Sequence, residues 1–206
     1  MITLVDQNKV GTLISSSPRS GTHFLKSVIE RQLPGTYQTD EICNDNSLTE
    51  LEQLTEISQY KICILNNSVA KSLLLDRQDL LQKWHVINLT RRNKIQHFIS
   101  HWFWLQTTPR ERLNNNGQFR HHGTPHNNYK NALKQPEYLD INIVMGWVKQ
   151  QKINSRVPCN ATMDYDELPA YATDWVQWEP NQYNLTLADI FVNHKDVEDA
   201  LLNFTA

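Results

Sequence analysis

The chain has 206 residues, 39% of them hydrophobic and 20% charged, with a formal net charge of −2. At this length one domain with a sizeable core is expected, and the near-neutral balance excludes a global attraction to nucleic acid or to an anionic membrane. A polyanion site must therefore be a local gathering of cations, for which Arg19 with Lys26, and Arg91-Arg92 with Lys94, are the candidates. Cys43, Cys63 and Cys159 are widely spaced and form no CxxC pair, which argues against a zinc site or disulfide framework and for a reducing compartment. Met1–Gln7 lack the pattern of a signal peptide, and no run of about 18 apolar residues suits a membrane span. The expectation is a cytoplasmic protein.

In chain order, Gly11–Ser16 reads as a buried strand and Thr22–Gln32 as the helix after it, stopped by Leu33-Pro34-Gly35. Ser47–Ser58 opens with the capping-box pattern Ser-Leu-Thr-Glu and has apolar residues at helical spacing. Lys61–Leu65 is a second strand, with Cys63 as a small buried hydrophobe. A helix is expected within Val69–Lys83, a third strand over Trp84–Leu89, and an aromatic-rich helix over Lys94–Leu105. The polar stretch Thr107–Gln135 is too long for a plain connection and is expected to be a mobile lid, a substrate loop or disordered. Tyr138–Ile153 returns to a helical pattern, Cys159–Tyr165 reads as a fourth strand, and Asp189–Phe204 as a closing helix. Alternating strands and helices predict a single-domain, three-layer α/β fold with a mostly parallel central sheet covered by helices.

The chemistry concentrates in Ser15-Ser16-Ser17-Pro18-Arg19-Ser20-Gly21-Thr22-His23-Phe24, which joins the first strand to the first helix. Backbone amides at a helix start, aided by the helix dipole, suit a multiply charged anion. Gly21 permits close backbone approach, Arg19 can fork onto phosphate or sulfate oxygens, and Thr22 offers a hydroxyl. The loop lacks the Gly-Lys-Ser/Thr of the usual ATP-binding version. A second cationic segment, Thr90-Arg91-Arg92-Asn93-Lys94, follows the third predicted strand, with Ser100 eight residues beyond Arg92 and about two helical turns along.

The Pro-Arg-Ser-Gly-Thr loop and the later Arg-Arg-Asn-x-x-Gln-x-x-x-Ser segment resemble the sulfotransferases that use 3′-phosphoadenosine 5′-phosphosulfate (PAPS), and in wording the bacterial carbohydrate sulfotransferases most. The resemblance covers roughly Leu13–Ser100, together with Asp164-Tyr165-Asp166-Glu167-Leu168. It implies a P-loop-like fold and transfer of the sulfuryl group from PAPS to an acceptor hydroxyl on a carbohydrate or glycolipid, with release of the desulfated product, PAP. It also implies that Pro18, Arg19, Ser20, Gly21, Thr22 and His23 hold the 5′-phosphosulfate, that Phe24 lies against adenine, and that Arg92 and Ser100 hold the 3′-phosphate.

The acceptor hydroxyl must lose a proton, so a general base is needed. Glu41, 22 residues beyond Arg19, lies at about the offset of the catalytic glutamate in carbohydrate sulfotransferases; Asp40, His85, His97 and His101 are the other candidates. His85 sits mid-strand and reads as packed, while His97 and His101, one turn apart, read as a helix surface pair with no evident third metal ligand. Trp102-Phe103-Trp104 and Phe119–Asn128 are candidates for a sugar platform, with Trp102 or Trp104 alternatively serving the core.

His23 departs from the hydroxyl residue usual at its position, and the Gly-rich C-terminal phosphate loop of steroid and phenol sulfotransferases is not visible. Two alternatives stand beside the enzyme. One is a P-loop kinase or other nucleotide-binding protein, the other a catalytically inactive, sulfotransferase-like binding module.

Overall fold

The computed structural model describes residues 2–18, 20–33, 37–42, 47–56, 58–66, 68–106, 136–172 and 185–203. The described chain falls into two compact units, residues 1–92 with 149–180, and residues 93–148 with 181–206.

The first unit is built on a five-stranded, all-parallel sheet. Its strands are β1 (Gly11–Ser16), β2 (Tyr37–Ile42), β3 (Tyr60–Leu65), β4 (His85–Thr90) and β5 (Ala161–Asp164), in the order β2-β3-β1-β4-β5. The register aligns Ile14 with Ile64 on one side and with Ile87 on the other. β1, β3 and β4 are buried almost throughout because they are covered on both faces, as parallel strands require.

Chain direction explains which helix goes where. From β1 the chain passes β3 to form β2, then steps back to β3 and crosses β1 to reach β4. Parallel crossovers are right-handed, so a reversal of direction moves the connecting helix to the opposite face. Accordingly α1 (Thr22–Gln32) packs Leu25, Val28 and Ile29 on the face that carries Ile14, Ile62, Ile64 and Ile87. On the other face, with Leu13, Cys63, Leu65 and Val86, lie α2 (Ser47–Leu54), α3 (Ser68–Leu74) and α4 (Gln78–Leu81). This is the three-layer α/β architecture expected from the alternating pattern.

Several boundaries differ from the sequence expectation. β2 was not expected at all: Gln38-Thr39-Asp40-Glu41 is polar and of poor strand propensity, and its pairing comes from β3 at the sheet edge. Asp40 and Glu41 are thus strand residues rather than loop residues. The helix expected within Val69–Lys83 is two helices, since the turn at Asp76-Arg77 breaks the run without a Gly or Pro to announce it. Arg77 there pairs with Asp79 and Glu52. After β5, Asp164 caps a 3-10 helix (Tyr165–Tyr171) in a reciprocal box with Glu167.

The second unit contains α5 (Lys94–Gln106), the first half of α6 (Ile141–Arg156), α7 (Leu187–Ile190) and α8 (His194–Leu202). The closing helix expected over Asp189–Phe204 is therefore two helices. A Thr186–Asp189 capping box starts the first, and Phe191 then leaves helical geometry for a parallel bridge with Glu137. The core of this unit is aromatic: Phe98 meets Trp147 edge to face at 5.3 Å, and Trp102 meets Phe191 at 5.4 Å.

Candidate functional site

An open parallel sheet binds ligands beyond the carboxyl ends of its strands, where neighbouring strands send their helices to opposite faces. β1 and β3 meet that condition, because α1 and α3 lie on opposite faces. The segment leaving β1 at this crevice is Ser17–Gly21. Ser17, Ser20 and Thr22 are buried, and Pro18 is half-buried. Arg19 lies outside the described residues.

Gly21 is the turning point. It adopts the left-handed conformation, φ 82° and ψ 22°, at the N-cap of α1, and its carbonyl accepts the first helical bond, from the Leu25 amide, at 3.1 Å. A Cβ there would stand 2.5 Å from Leu168 Cδ1 and 3.2 Å from Tyr165 Cδ2. Glycine is therefore required twice, by dihedral and by space. α1 has no acidic residue in its first turn and no side-chain cap, so its positive end is not neutralised by a neighbouring carboxylate of the helix.

Polar residues hold the root of the loop from the β3–α3 side. Ser16 Oγ donates to Asn66 Oδ1 at 2.7 Å. Lys71 of α3 is fully buried, and its Nζ donates to the Ser16 carbonyl and to Asn154 Oδ1 of α6. Asn154 Nδ2 in turn donates to Ser17 Oγ, whose hydroxyl donates to Gln151 Oε1. Burial pushes the Lys71 ammonium down to about 7 from the ordinary 10.5. Just below, Ser15 Oγ and Asn88 Oδ1 are buried with no hydrogen-bond partner among the described residues, and the two residues are opposite each other in register.

The two arginines after β4 point to different tasks. Arg91 is buried, its guanidinium carbon 4.2 Å from the centroid of the Tyr165 ring, the same ring that abuts Gly21. Tyr165 thus links the second cationic segment to the turn of the first. Arg92 is exposed. Its backbone amide donates to Asp164 Oδ2 at 3.0 Å, and its guanidinium reaches Glu167 Oε1 at 3.2 Å. The Arg92–Glu167 ion pair is exposed on both sides and is worth at most about 1 kcal/mol. The acidic segment Asp164–Leu168 therefore has a defined place: its carboxylates hold Arg92, and its Tyr165 and Leu168 pack the Gly21 turn.

Of the other expected site residues, Thr22, His23 and Phe24 lie in the first turn of α1, with Thr22 buried and Phe24 packed against the α1-face core. Glu41 falls near the carboxyl end of β2, in register with Ile64 and thus with Ile14 of β1 two strands away. Ser100 is buried on α5 in the second unit, whereas the loop and Arg92 belong to the first. Lys26, grouped with Arg19 by sequence, forms an i,i+4 pair with Glu30 at 3.4 Å.

His97 and His101 are not a surface pair. His97 is buried edge-on to Trp147 at 5.1 Å, and His101 lies 6.4 Å from the same ring. Trp102 and Phe103 are core residues of the second unit rather than a sugar platform. The Trp104 side chain, the Thr107–Gln135 stretch and Cys43 lie outside what is described. His85 packs as expected, its Nε2 2.8 Å from the Thr3 carbonyl.

The residue that sequence reading missed is Lys71. Helical spacing sets it beside Leu74 and Leu75, three and four positions on, and a lysine on the apolar side of its own helix was the available signal. Among the described residues no helix is long and apolar enough to cross a membrane. Comparison of the chain with protein-family models, curated proteins and solved structures finds no match.

Proposed function

We propose that the chain is a PAPS-dependent sulfotransferase acting on a hydroxyl of a carbohydrate or glycolipid. The observation that carries the reading is the left-handed Gly21 turn, which leads from the sheet's carboxyl edge to the start of α1, whose first turn holds no acidic residue. The sequence resemblance of that loop, and of Arg92 to Ser100, to PAPS-using enzymes names the anion.

In this reading Arg19 and the Ser20–Thr22 amides hold the 5′-phosphosulfate, and Arg92 takes the 3′-phosphate that distinguishes PAPS from ATP. Phe24 lies against the adenine. The acceptor oxygen attacks sulfur in line, the bond from sulfur to the 5′-phosphate oxygen breaks, and PAP leaves with that electron pair. Glu41 accepts the hydroxyl proton. Catalysis is positioning together with electrostatic stabilisation of charge spreading over the sulfuryl and phosphate oxygens.

The test is calorimetric titration with PAP and, separately, with ATP, without metal. The reading expects micromolar PAP binding that weakens at least tenfold in Arg92→Ala, with ATP silent. Labelled PAPS with a panel of sugar acceptors then measures transfer, and Glu41→Gln is expected to lose rate while keeping PAP affinity. Absence of PAP binding, or tighter binding of ATP with Mg²⁺, overturns the sulfotransferase reading and favours a nucleotide-binding or kinase role. PAP binding without transfer to any acceptor favours the inactive binding module.

A further inference from the structure

Lys71 is buried beneath the root of the candidate anion loop with no acidic partner among the described residues. Its hydrogen bonds go to the Ser16 carbonyl, where β1 ends, and to Asn154, which holds Ser17. Among the described residues its hydrogen-bond chain runs through this carbonyl and Asn154 and on to Ser17 and Gln151, none of which titrates or carries charge. A lysine needed only to satisfy these acceptors would be replaceable by any neutral donor. A group able to carry a full charge, sealed from water within a few bonds of an anion-binding backbone, has a further capacity.

We propose that Lys71 is a concealed cation of the anion site, which takes up a proton when the 5′-phosphosulfate binds and so balances part of its charge through the Ser16–Ser17 backbone. The inference rests on the reading of the loop as a PAPS site. It makes Lys71 a positioning and charge-balancing residue rather than one that touches the reacting atoms. Burial alone, with no contribution from a neighbouring charge, lowers the proton affinity of Lys71 to about 7, so above neutrality the free protein holds it largely as the amine. A multiply charged anion at the loop favours the ammonium, and linkage then demands proton uptake on binding. The proton comes from solvent and returns to it when PAP leaves.

The experiment is titration of the protein with PAP at pH 8 in buffers of different ionisation enthalpy, which reads the number of protons taken up. Both phosphates of PAP are fully ionised there, their second ionisation lying near pH 6. Uptake of more than about half a proton is expected, because an amine titrating at about 7 is roughly nine-tenths unprotonated at pH 8. Lys71→Met is expected to abolish the uptake, to weaken PAP at pH 7 by tenfold or more, and to flatten the pH dependence of affinity. Uptake that persists in folded Lys71→Met overturns the proposal, because His23 or another group then supplies it.

If that variant does not fold, ¹⁵N-lysine NMR of the wild-type protein decides. One Nζ signal titrating near neutrality, and moved to higher pH by PAP, supports the proposal; no such signal overturns it. PAP binding without proton uptake sinks this inference and leaves the sulfotransferase reading standing. Failure of PAP to bind removes both.

Discussion

Replacing Gly21 by Ala tests the geometry on which the candidate site depends. At φ 82° an L-residue meets its own carbonyl, at a cost of roughly 1–2 kcal/mol. The added methyl would also stand 2.5 Å from Leu168 Cδ1 and 3.2 Å from Tyr165 Cδ2, and forcing a methyl into a packed site costs about 1–3 kcal/mol. The reduced freedom of the unfolded chain returns about 0.4–1 kcal/mol. Gly21→Ala should therefore lose about 1–4.6 kcal/mol, a large share of the ~5–15 kcal/mol that holds a typical domain. Urea unfolding with linear extrapolation measures it, followed by both circular dichroism and tryptophan fluorescence to establish that one transition is being read.

A double-mutant cycle separates the two contributions. Leu168 is fully buried, so Leu168→Ala alone should cost about 2–5 kcal/mol. In its presence the alanine at position 21 no longer meets Leu168, and only the dihedral strain and the Tyr165 contact remain. The cycle should show a favourable coupling of about 1–2 kcal/mol. A Gly21→Ala protein within about 0.5 kcal/mol of wild type, the scatter of neutral surface substitutions, would refute the left-handed turn, and the anion cradle with it. An additive cycle would retain the turn but refute the packing of Leu168 against it.

Three further outcomes are expected. Lys71 binds its proton less tightly when folded than when unfolded, so stability should rise with pH between about 7 and 10.5, by up to about 1.4 kcal/mol per unit, with no Lys71-dependent slope below 7; thermal melts at pH 7, 8 and 9 should lose that slope in Lys71→Met. Ser15→Ala removes a buried hydroxyl without a partner among the described residues and should be neutral or stabilising by about 1 kcal/mol in urea unfolding, whereas a loss of 2 kcal/mol would mean that the hydroxyl is satisfied. Phe98→Ala opens the aromatic core of the second unit and should cost about 3–5 kcal/mol, read by the urea midpoint and by the near-ultraviolet signal of Trp102 and Trp147.

What was legible in the sequence was what neighbouring residues decide. The apolar stretches Leu13-Ile14 and Ile62–Leu65 lie in strands covered on both faces, and burial on two faces favours consecutive rather than alternating apolar residues. Gly21 was legible because few other residues serve a tight left-handed turn into a helix. β2 was not, since Asp40 and Glu41 argue against a strand and only the exposed edge of β3 recruits them. The breaks at Arg77 and Phe191 were invisible for a related reason. The first carries no Gly or Pro, and the second is made by a pairing with Glu137, 54 positions away.

The candidate site divides along the same line. Its outline, the loop after β1 and the arginines after β4, follows from strand–loop–helix order and could be read directly. Its support could not, because Lys71 and Asn154 meet across 83 positions, and Arg92 reaches Glu167 across 75. Nor could the different duties of the two arginines. Adjacent in sequence, Arg91 turns inward over Tyr165 while Arg92 turns outward to the exposed Glu167 carboxylate, and their environments differ accordingly. An ionic contact in water is weak and exchangeable, while a cation over a ring in a dry setting is neither. Arg92 can therefore exchange its Glu167 partner, whereas Arg91 is fixed over the Tyr165 ring that abuts Gly21. Arg92→Lys should accordingly preserve more of the fold, and Arg91→Lys more of the exposed charge, than the sequence Arg-Arg would suggest for either.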